Sequence, residues 1–261
     1  MRVILLTHGG ADLVLEKLRD LEDIEVVGVF IETVTTPRRG FVEKLRRSIR
    51  YDGFLETVKK IFPGHGGNSE THGTIETANN LGLQVYRVDN FHSENSLELM
   101  RRADADLGVI YGTNIIKEIV FSIPKHGSIN LHQGLAPHYR GGPPIFWELF
   151  NGEKEVGITV HFVAAKVDTG DVILQSTVPL EYDAAFGLDF DAFIANFQSG
   201  LRGRSADLVA ESVKLIASGK AQRRPQDTSV GKRYRLPVKK EKDEMLRRLK
   251  QRISRGDNAE G

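Results

Sequence analysis

The hydrophobic pattern changes period along the chain, and each change marks an element. Val3 to Thr7 is a continuous apolar run ending at His8-Gly9-Gly10, which reads as a buried first strand. Leu13, Leu15 and Leu18 then recur at helical spacing, and Ile24 to Ile31 is a second strand rich in β-branched residues. Strand, Gly turn, helix, strand opens a βαβ unit and implies a parallel sheet. From Thr33 to Asn68 the periodicity lapses. A basic amphipathic piece over Phe41 to Arg50 and the patch Pro63-Gly64-His65-Gly66-Gly67 read as an insertion of about residues 33–70, holding a helix and a mobile turn. Thr71 to Leu81 is a helix, capped by Ser69 or Thr71, and Gln84 to Val88 is a short strand. Ser93 is the expected N-cap of a helix through Met100, Leu107 to Tyr111 is a strand ending at Gly112, and Gly127 to Leu131 is another.

After Pro143-Pro144, Ile145 to Asn151 fits a helix stopped by Asn151-Gly152. Val156 to Val163 and Val172 to Val178 are strands flanking a turn at Asp168. Arg204 to Ser218 is a helix with Leu208, Val209, Val213, Leu215 and Ile216 on or near one face, ended by Gly219. Between them, Tyr182 to Phe190 leads into Phe186, Phe190, Phe193 and Phe197, an amphipathic stretch for the core or for a second copy of the chain, so a homodimer is one expectation. From Lys239 the chain is charged and helix-prone with few core residues. There is no internal repeat. The pattern gives an α/β fold with a domain over 1–220 and a short, helical, basic C-terminal extension over 221–261.

Composition narrows the class. At 261 residues and 40% hydrophobic content, the chain supports a sizeable core and is not a disordered one. The net charge of +1 does not make the whole molecule a polyanion binder. Charge is uneven, though: Gly231 to Arg255 holds eleven Lys/Arg against three Asp/Glu. That run reads first as a solvated helix and second as a contact for RNA or a phosphorylated substrate. No cysteine is present, which excludes disulfides, thiolate catalysis and Cys-ligated zinc and fits a cytoplasmic protein. The first apolar run is too short for a signal peptide or a membrane span.

Candidate chemistry concentrates in Gly127-Ser128-Ile129-Asn130-Leu131-His132, the loop Pro137-His138-Tyr139-Arg140-Gly141-Gly142, and Val167-Asp168-Thr169-Gly170-Asp171. Asn130 and His132 are two apart on a strand and point to one face. Loops at the C-terminal ends of strands are where open α/β sheets place their sites. Other readings are weaker. Asp168 fits a tight turn, but the ligand spacing of a calcium loop is missing. His132 with His138 or His161 forms no recognised zinc motif, so no metal is expected. His8-Gly9-Gly10 lacks the dinucleotide fingerprint, although its amides could approach a phosphate. Ser128, Ser122 and Thr113 have no nucleophile-elbow context.

Those three segments together resemble the formyltransferases that use 10-formyltetrahydrofolate, a family including glycinamide ribonucleotide, methionyl-tRNA and sugar N-formyltransferases. Asn-x-His, then Pro-x-Tyr-Arg-Gly, then Val-Asp-x-Gly is matched position by position, and Gly157 to Val163 looks like the strand that precedes the family's Asp. The resemblance runs from about Asp106 to Leu180. It implies a Rossmann-like fold with a mostly parallel central sheet, a catalytic triad of Asn130, His132 and Asp168, and a transferase that needs no metal. It also implies that the folate pterin lies against Tyr111, Gly112, Thr113, Asn114, Ile115 and Ile116 and against the stretch to Asp168, including Val163 and Val167. The residue chemistry agrees. An imidazole can take a proton from an attacking amine, and an amide N–H can hold the formyl oxygen as it becomes negative, a contact whose loss typically costs about 3 kcal/mol. Asp168 either holds the imidazole and stabilises its cation or relays protons.

The acceptor is narrowed by departures from the family. Thr7-His8-Gly9-Gly10-Ala11-Asp12 lacks the serine and asparagine of the glycinamide ribonucleotide enzymes' phosphate loop, and Asp12 adds a carboxylate. Residues 222–261 are too few and too charged for the C-terminal domain of the tRNA enzymes. A small-molecule amine is then expected, first of all an amino sugar on a nucleotide carrier. Formyltetrahydrofolate hydrolysis and non-catalytic folate or nucleotide binding remain alternatives.

Overall fold

The computed structural model describes residues 1–33, 69–180 and 190–255. The expected insertion at Phe41 to Arg50 and Pro63 to Gly67, and the aromatic entry segment around Phe186, lie outside these residues. Elements are numbered in chain order. The strands are β1 (Arg2–Thr7), β2 (Glu25–Glu32), β3 (Val85–Val88), β4 (Leu107–Tyr111), β5 (Ser128–His132), β6 (Tyr139–Gly141), β7 (Glu155–Phe162), β8 (Val172–Pro179) and β9 (Lys232–Tyr234). The helices are α1 (Asp12–Arg19), α2 (Ser69–Asn80), α3 (Glu94–Arg102), α4 (Glu118–Phe121), α5 (Phe146–Asn151), α6 (Phe190–Ala217) and α7 (Lys239–Arg255).

A seven-stranded sheet runs in the order β3-β2-β1-β4-β5-β7-β8. The strands from β3 to β5 are mutually parallel, while β5–β7 and β7–β8 pair antiparallel. The expected α/β architecture with a mostly parallel central sheet is therefore what forms. Successive residues of a strand face opposite sides. Val3, Leu5, Val29 and Val109 enter one buried cluster, and Ile4, Leu6, Phe30 and Ile110 enter another. Both faces are covered, which is why these strands read as unbroken apolar runs. The chain winds from β1 outward to β3, then crosses back to β4 on the other side of β1. That reversal opens a crevice beyond the C-terminal ends of β1 and β4, the place where open α/β sheets bind ligands.

Local chemistry sets several boundaries. The Ser93 hydroxyl accepts the Ser96 N–H at 3.3 Å and caps α3. Gly152 takes the left-handed conformation at the end of α5. Thr71 is not a cap: its hydroxyl donates to the His8 carbonyl at 2.6 Å, tying α2 to the loop after β1. Helix α6 begins at Phe190, a long way before the expected Arg204. Gly200 and Gly203 disfavour helix by about 1 kcal/mol each. Burial outweighs them, since Phe193 and Leu201 are 2% exposed within the main core.

The basic C-terminal run does form a helix, but it is not solvated all round. Met245 and Leu249, four apart on one face of α7, are fully buried in the main core. Arg248 donates to the Phe150 carbonyl at 2.9 Å and lies 4.2 Å from the Phe150 ring centroid. One apolar stripe on an otherwise charged helix is enough to dock it against α5. Among the described residues, no helix is long and apolar enough to cross a membrane.

Candidate active site

Strand β5 presents Asn130 and His132 on one face, and both line a cleft of about 1420 Å³ beyond the sheet's C-terminal edge. Tyr111, Gly112, Thr113, Asn114, Ile115 and Ile116, following β4, and Val163 and Val167, following β7, line the same cleft. Ile115 is 66% exposed, an apolar ledge facing open space rather than core. The cleft thus has the apolar wall and the few convergent polar groups of a small-molecule site. His138 lies elsewhere, lining a separate cavity of about 510 Å³ together with Tyr139.

Asp168 reaches the pair from a different element. It sits at φ 53°, a left-handed conformation that Asp tolerates better than most residues. Two residues on, a side chain at Gly170 would run into the Phe162 carbonyl, so this loop needs glycine there. The loop sets Asp168 Oδ2 2.8 Å from the Gly141 N–H, which donates to it, and 3.5 Å from His132 Nδ1. Burial pushes the Asp168 carboxyl up, but the neighbouring His161 and His132 rings and the Gly141 amide outweigh it and hold it at about 2. It is an anion at any working pH.

His132 is oriented from its other side. Nε2 lies 2.6 Å from the Tyr139 carbonyl oxygen. A carbonyl only accepts, so Nε2 carries the hydrogen and Nδ1 is the basic nitrogen. Tyr139 therefore sets the tautomer, and Asp168 faces the atom that would take up a proton. Burial lowers the His132 pKa, against the raising effects of Asp168 and the Tyr139 carbonyl. The imidazole is neutral near pH 7 and ready to act as a base.

His161 was not foreseen as part of this group. It is 2% exposed on β7, directly across from Asn130. Its Nδ1 donates to the Phe162 carbonyl at 2.8 Å, which leaves Nε2 to accept from Asn130 Nδ2 at 3.3 Å. The same Nε2 is 3.5 Å from Asp168 Oδ1. With Nε2 accepting, His161 fixes which way the Asn130 amide is turned and lies beside the carboxylate without bonding it. An ionisable side chain inside the buried-strand run Ile158-Thr159-Val160-His161-Phe162 was the available signal.

The loop carrying Tyr139 and Gly141 is held by the C-terminal segment. Strand β6 pairs in parallel with β9, Tyr139 stacks on Tyr234 with ring centroids 5.2 Å apart, and Trp147 Nε1 donates to the Arg235 carbonyl at 2.8 Å. Arg140 turns inward and donates to the carbonyls of Pro137 and Thr228 at 3.1 and 3.2 Å. Further back, Gln226 Nε2 donates to the Gly170 carbonyl at 2.6 Å, and Arg224 exchanges main-chain bonds with Val172. Residues 224–235 thus strap both the loop of Tyr139 and Gly141 and the loop of Asp168. No periodicity announces a three-residue strand with its partner ninety residues away.

The loop after β1 differs from expectation in a useful way. The N–H groups of Gly9, Gly10 and Ala11 donate to Thr7 Oγ1, the Glu70 carbonyl and Thr74 Oγ1 at 2.9, 3.2 and 3.0 Å. None of these three is left to cradle a phosphate. Asp12 is paired with Arg202, so its charge is offset and the expected repulsion of phosphate is not the reason. Nearby, His8 Nε2 bonds Glu32 Oε2 at 2.7 Å, and the His8 ring stacks on Phe91 at the cleft edge.

Comparison with known proteins agrees with this geometry. The family described as formyl transferase matches residues 1–185. A methionyl-tRNA formyltransferase from Parabacteroides distasonis is 32% identical over 175 residues, covering 67% of this chain and 52% of that protein. One from Pelotomaculum thermopropionicum is 33% identical over 187 residues, covering 71% and 56%. The chain spans about half the length of these curated relatives. Among solved structures, glycinamide ribonucleotide transformylase 1 from Symbiobacterium toebii superposes with a TM-score of 0.59 at 19% identity, over 87% of this chain and 93% of that one. A sugar N-formyltransferase from Shewanella sp FDAARGOS_354 gives 0.53 at 17% identity, over 90% and 76%. At such identities the likeness establishes a shared fold. The match of the family pattern over 1–185, with Asn130, His132 and Asp168 brought together, places the chain in the formyl transferase family.

Proposed function

We propose that this chain transfers the formyl group of 10-formyltetrahydrofolate to the primary amine of a small acceptor, first of all an amino sugar on a nucleotide carrier. The observation that carries the reading is the Asp168 carboxylate standing 3.5 Å from His132 Nδ1 in the cleft that Asn130 also lines. The folate supplies a formyl carbon open to attack by nitrogen. The exposed ledge at Ile115, with Ile116, Val163 and Val167, suits an aromatic pterin, and the cleft volume of about 1420 Å³ leaves room for a second small molecule beside it.

The residues divide the work by chemistry. Asn130 Nδ2 has two hydrogens, one engaged by His161, so the other is free to bind the formyl oxygen as it gains negative charge. His132 Nδ1 takes the proton that the amine loses on attack. The imidazolium so formed is stabilised by Asp168 on one side and by the Tyr139 carbonyl on the other. The same proton is then available to the departing folate nitrogen. The relay alternative, with Asp168 itself protonated, is disfavoured by a carboxyl held at about 2.

The experiment is to incubate the protein with 10-formyltetrahydrofolate and a panel of amino-sugar nucleotides, glycinamide ribonucleotide and charged initiator tRNA, and to follow tetrahydrofolate release. Turnover with an amino-sugar nucleotide supports the first choice. Turnover with the tRNA alone supports a second reading, favoured by the methionyl-tRNA formyltransferases matched over about half their length. Release with no acceptor present would point to hydrolysis, and no release under any condition sinks formyl transfer. The basic surface of α7 would be the nucleic-acid contact in the second reading.

A further inference from the structure

We infer that Arg233 recognises an anionic group, a phosphate or a carboxylate, on a substrate bound in the catalytic cleft. The inference rests on the formyl-transfer reading only for which substrate carries the anion. Arg233 lies on β9 opposite Arg140 on β6, and the two arginines have opposite fates. Arg140 is 9% exposed, and main-chain carbonyls occupy its guanidinium. Arg233 is exposed and lines the cleft. Its side chain crosses over Gly141, where an added Cβ would lie 3.4 Å from Arg233 Cγ and 3.8 Å from Nε. The Gly141 N–H is the one that holds Asp168 Oδ2 at 2.8 Å. The stem of Arg233 therefore lies one residue away from the catalytic carboxylate.

Its neighbours are already engaged. Arg235 is paired in two-pronged fashion with Glu241, Arg202 with Asp12, and Lys232 lies over the Tyr234 ring. The Arg233 guanidinium makes no side-chain hydrogen bond or ion pair among the described residues. Its backbone is fixed nevertheless, by pairing with β6 and by the Tyr139–Tyr234–Trp147 stack. A guanidinium offers a planar set of donors that fits phosphate or carboxylate with two bonds at once. The loop after β1 has its amides at Gly9, Gly10 and Ala11 occupied, so anion recognition in this cleft falls to a side chain instead. Two substrates could bring the anion: the phosphate of an acceptor or the glutamyl carboxylate of the folate.

The test is equilibrium titration of the full chain at fixed ionic strength, read by calorimetry and by the emission of Trp147, the one tryptophan of the sequence. The titrants are inorganic pyrophosphate and 5-formyltetrahydrofolate carrying one or three glutamates, and the proteins are wild type, Arg233→Ala and Arg233→Lys. Arg233→Ala is expected to weaken one anion by about tenfold or more, with Arg233→Lys recovering only part for want of the planar fork. Loss confined to pyrophosphate assigns the anion to the acceptor. Loss confined to the folate, larger with three glutamates, assigns it to the folate tail. Equal affinities in wild type and Arg233→Ala for every titrant, or no saturable binding by wild type, overturn the inference. Because the readout is binding, failure of formyl transfer would leave a positive result standing.

Discussion

Strand β5 holds Asn130 and His132 from the middle of the seven-stranded sheet, bonded to β4 on one side and β7 on the other. Strand β6 meets the same site from across the cleft, with Tyr139 on His132 and Gly141 on Asp168, and among the described residues its one strand partner is β9. The first region is built from contacts between neighbouring elements, and apolar strands fix it by burial on both faces. The second depends on residues 224–235, far along the chain, lying in register on two loops. The candidate base and amide come from the central sheet, and the groups that hold and tune them come from the strapped loops. Chemistry should therefore fail most completely when β5 is altered, and fail by degrees when the strap is loosened.

The largest effects are expected on β5. His132→Ala should lower the rate of tetrahydrofolate formation by about 10²–10⁴-fold and Asn130→Ala by about 10²–10³-fold, each with an unchanged unfolding midpoint. A loss below tenfold in either would remove that residue from the chemistry. Next comes the anchor of the strap. Met245→Ala or Leu249→Ala truncates a fully buried side chain on α7 and should cost about 2–5 kcal/mol in denaturant unfolding. A solvated C-terminal helix would lose almost nothing. Tyr234→Ala removes both aromatic stacks on β9, and about 1–3 kcal/mol with a partial loss of turnover is the expected result. Full activity in that variant would show that β6 holds its place unaided.

The regular half of this molecule was legible because its periodicity is strong. Val3–Thr7, Ile24–Ile31 and Leu107–Tyr111 carry apolar residues on both faces, and the expected spans match the strands to within a residue or so. Asn130 and His132 followed from period two, and Asp168 from the Val-Asp-x-Gly turn. What stayed hidden depends on tertiary partners. His161 gains its meaning only from lying opposite Asn130. Strands β6 and β9 have three residues each and no pattern of their own. Helix α7 looked solvated because the buried Met245 and Leu249 are outnumbered by charge. The extension of α6 back to Phe190 overrode two glycines by burying Phe193 and Leu201.

Glu148 gives a smaller, pH-dependent contrast between the two regions. It is 3% exposed on α5, beneath the strap, and burial raises its carboxyl to about 7, partly offset by the amides of Ile145 and Glu148 itself. In the unfolded chain it titrates near 4.5. The folded protein therefore binds more protons between those values, and stability falls as pH rises from about 4.5 to 7, by roughly 2–3 kcal/mol from this group. Glu148→Gln should flatten that slope and unfold later than wild type at pH 8. An unchanged slope in urea melts would show that Glu148 is ionised in the fold.

The most direct measurement is the pH dependence of tetrahydrofolate formation by wild type and Asp168→Asn. His132 Nδ1 acts as the base, so wild-type activity should rise through a pKa below 6.5 and then stay level. The Asp168 anion raises that pKa, so Asp168→Asn should move the acid limb to lower pH while cutting the plateau rate about 10²-fold or more. An acid limb that stays in place or moves upward, with the plateau within a few-fold of wild type, would contradict the claim that Asp168 stabilises a protonated His132.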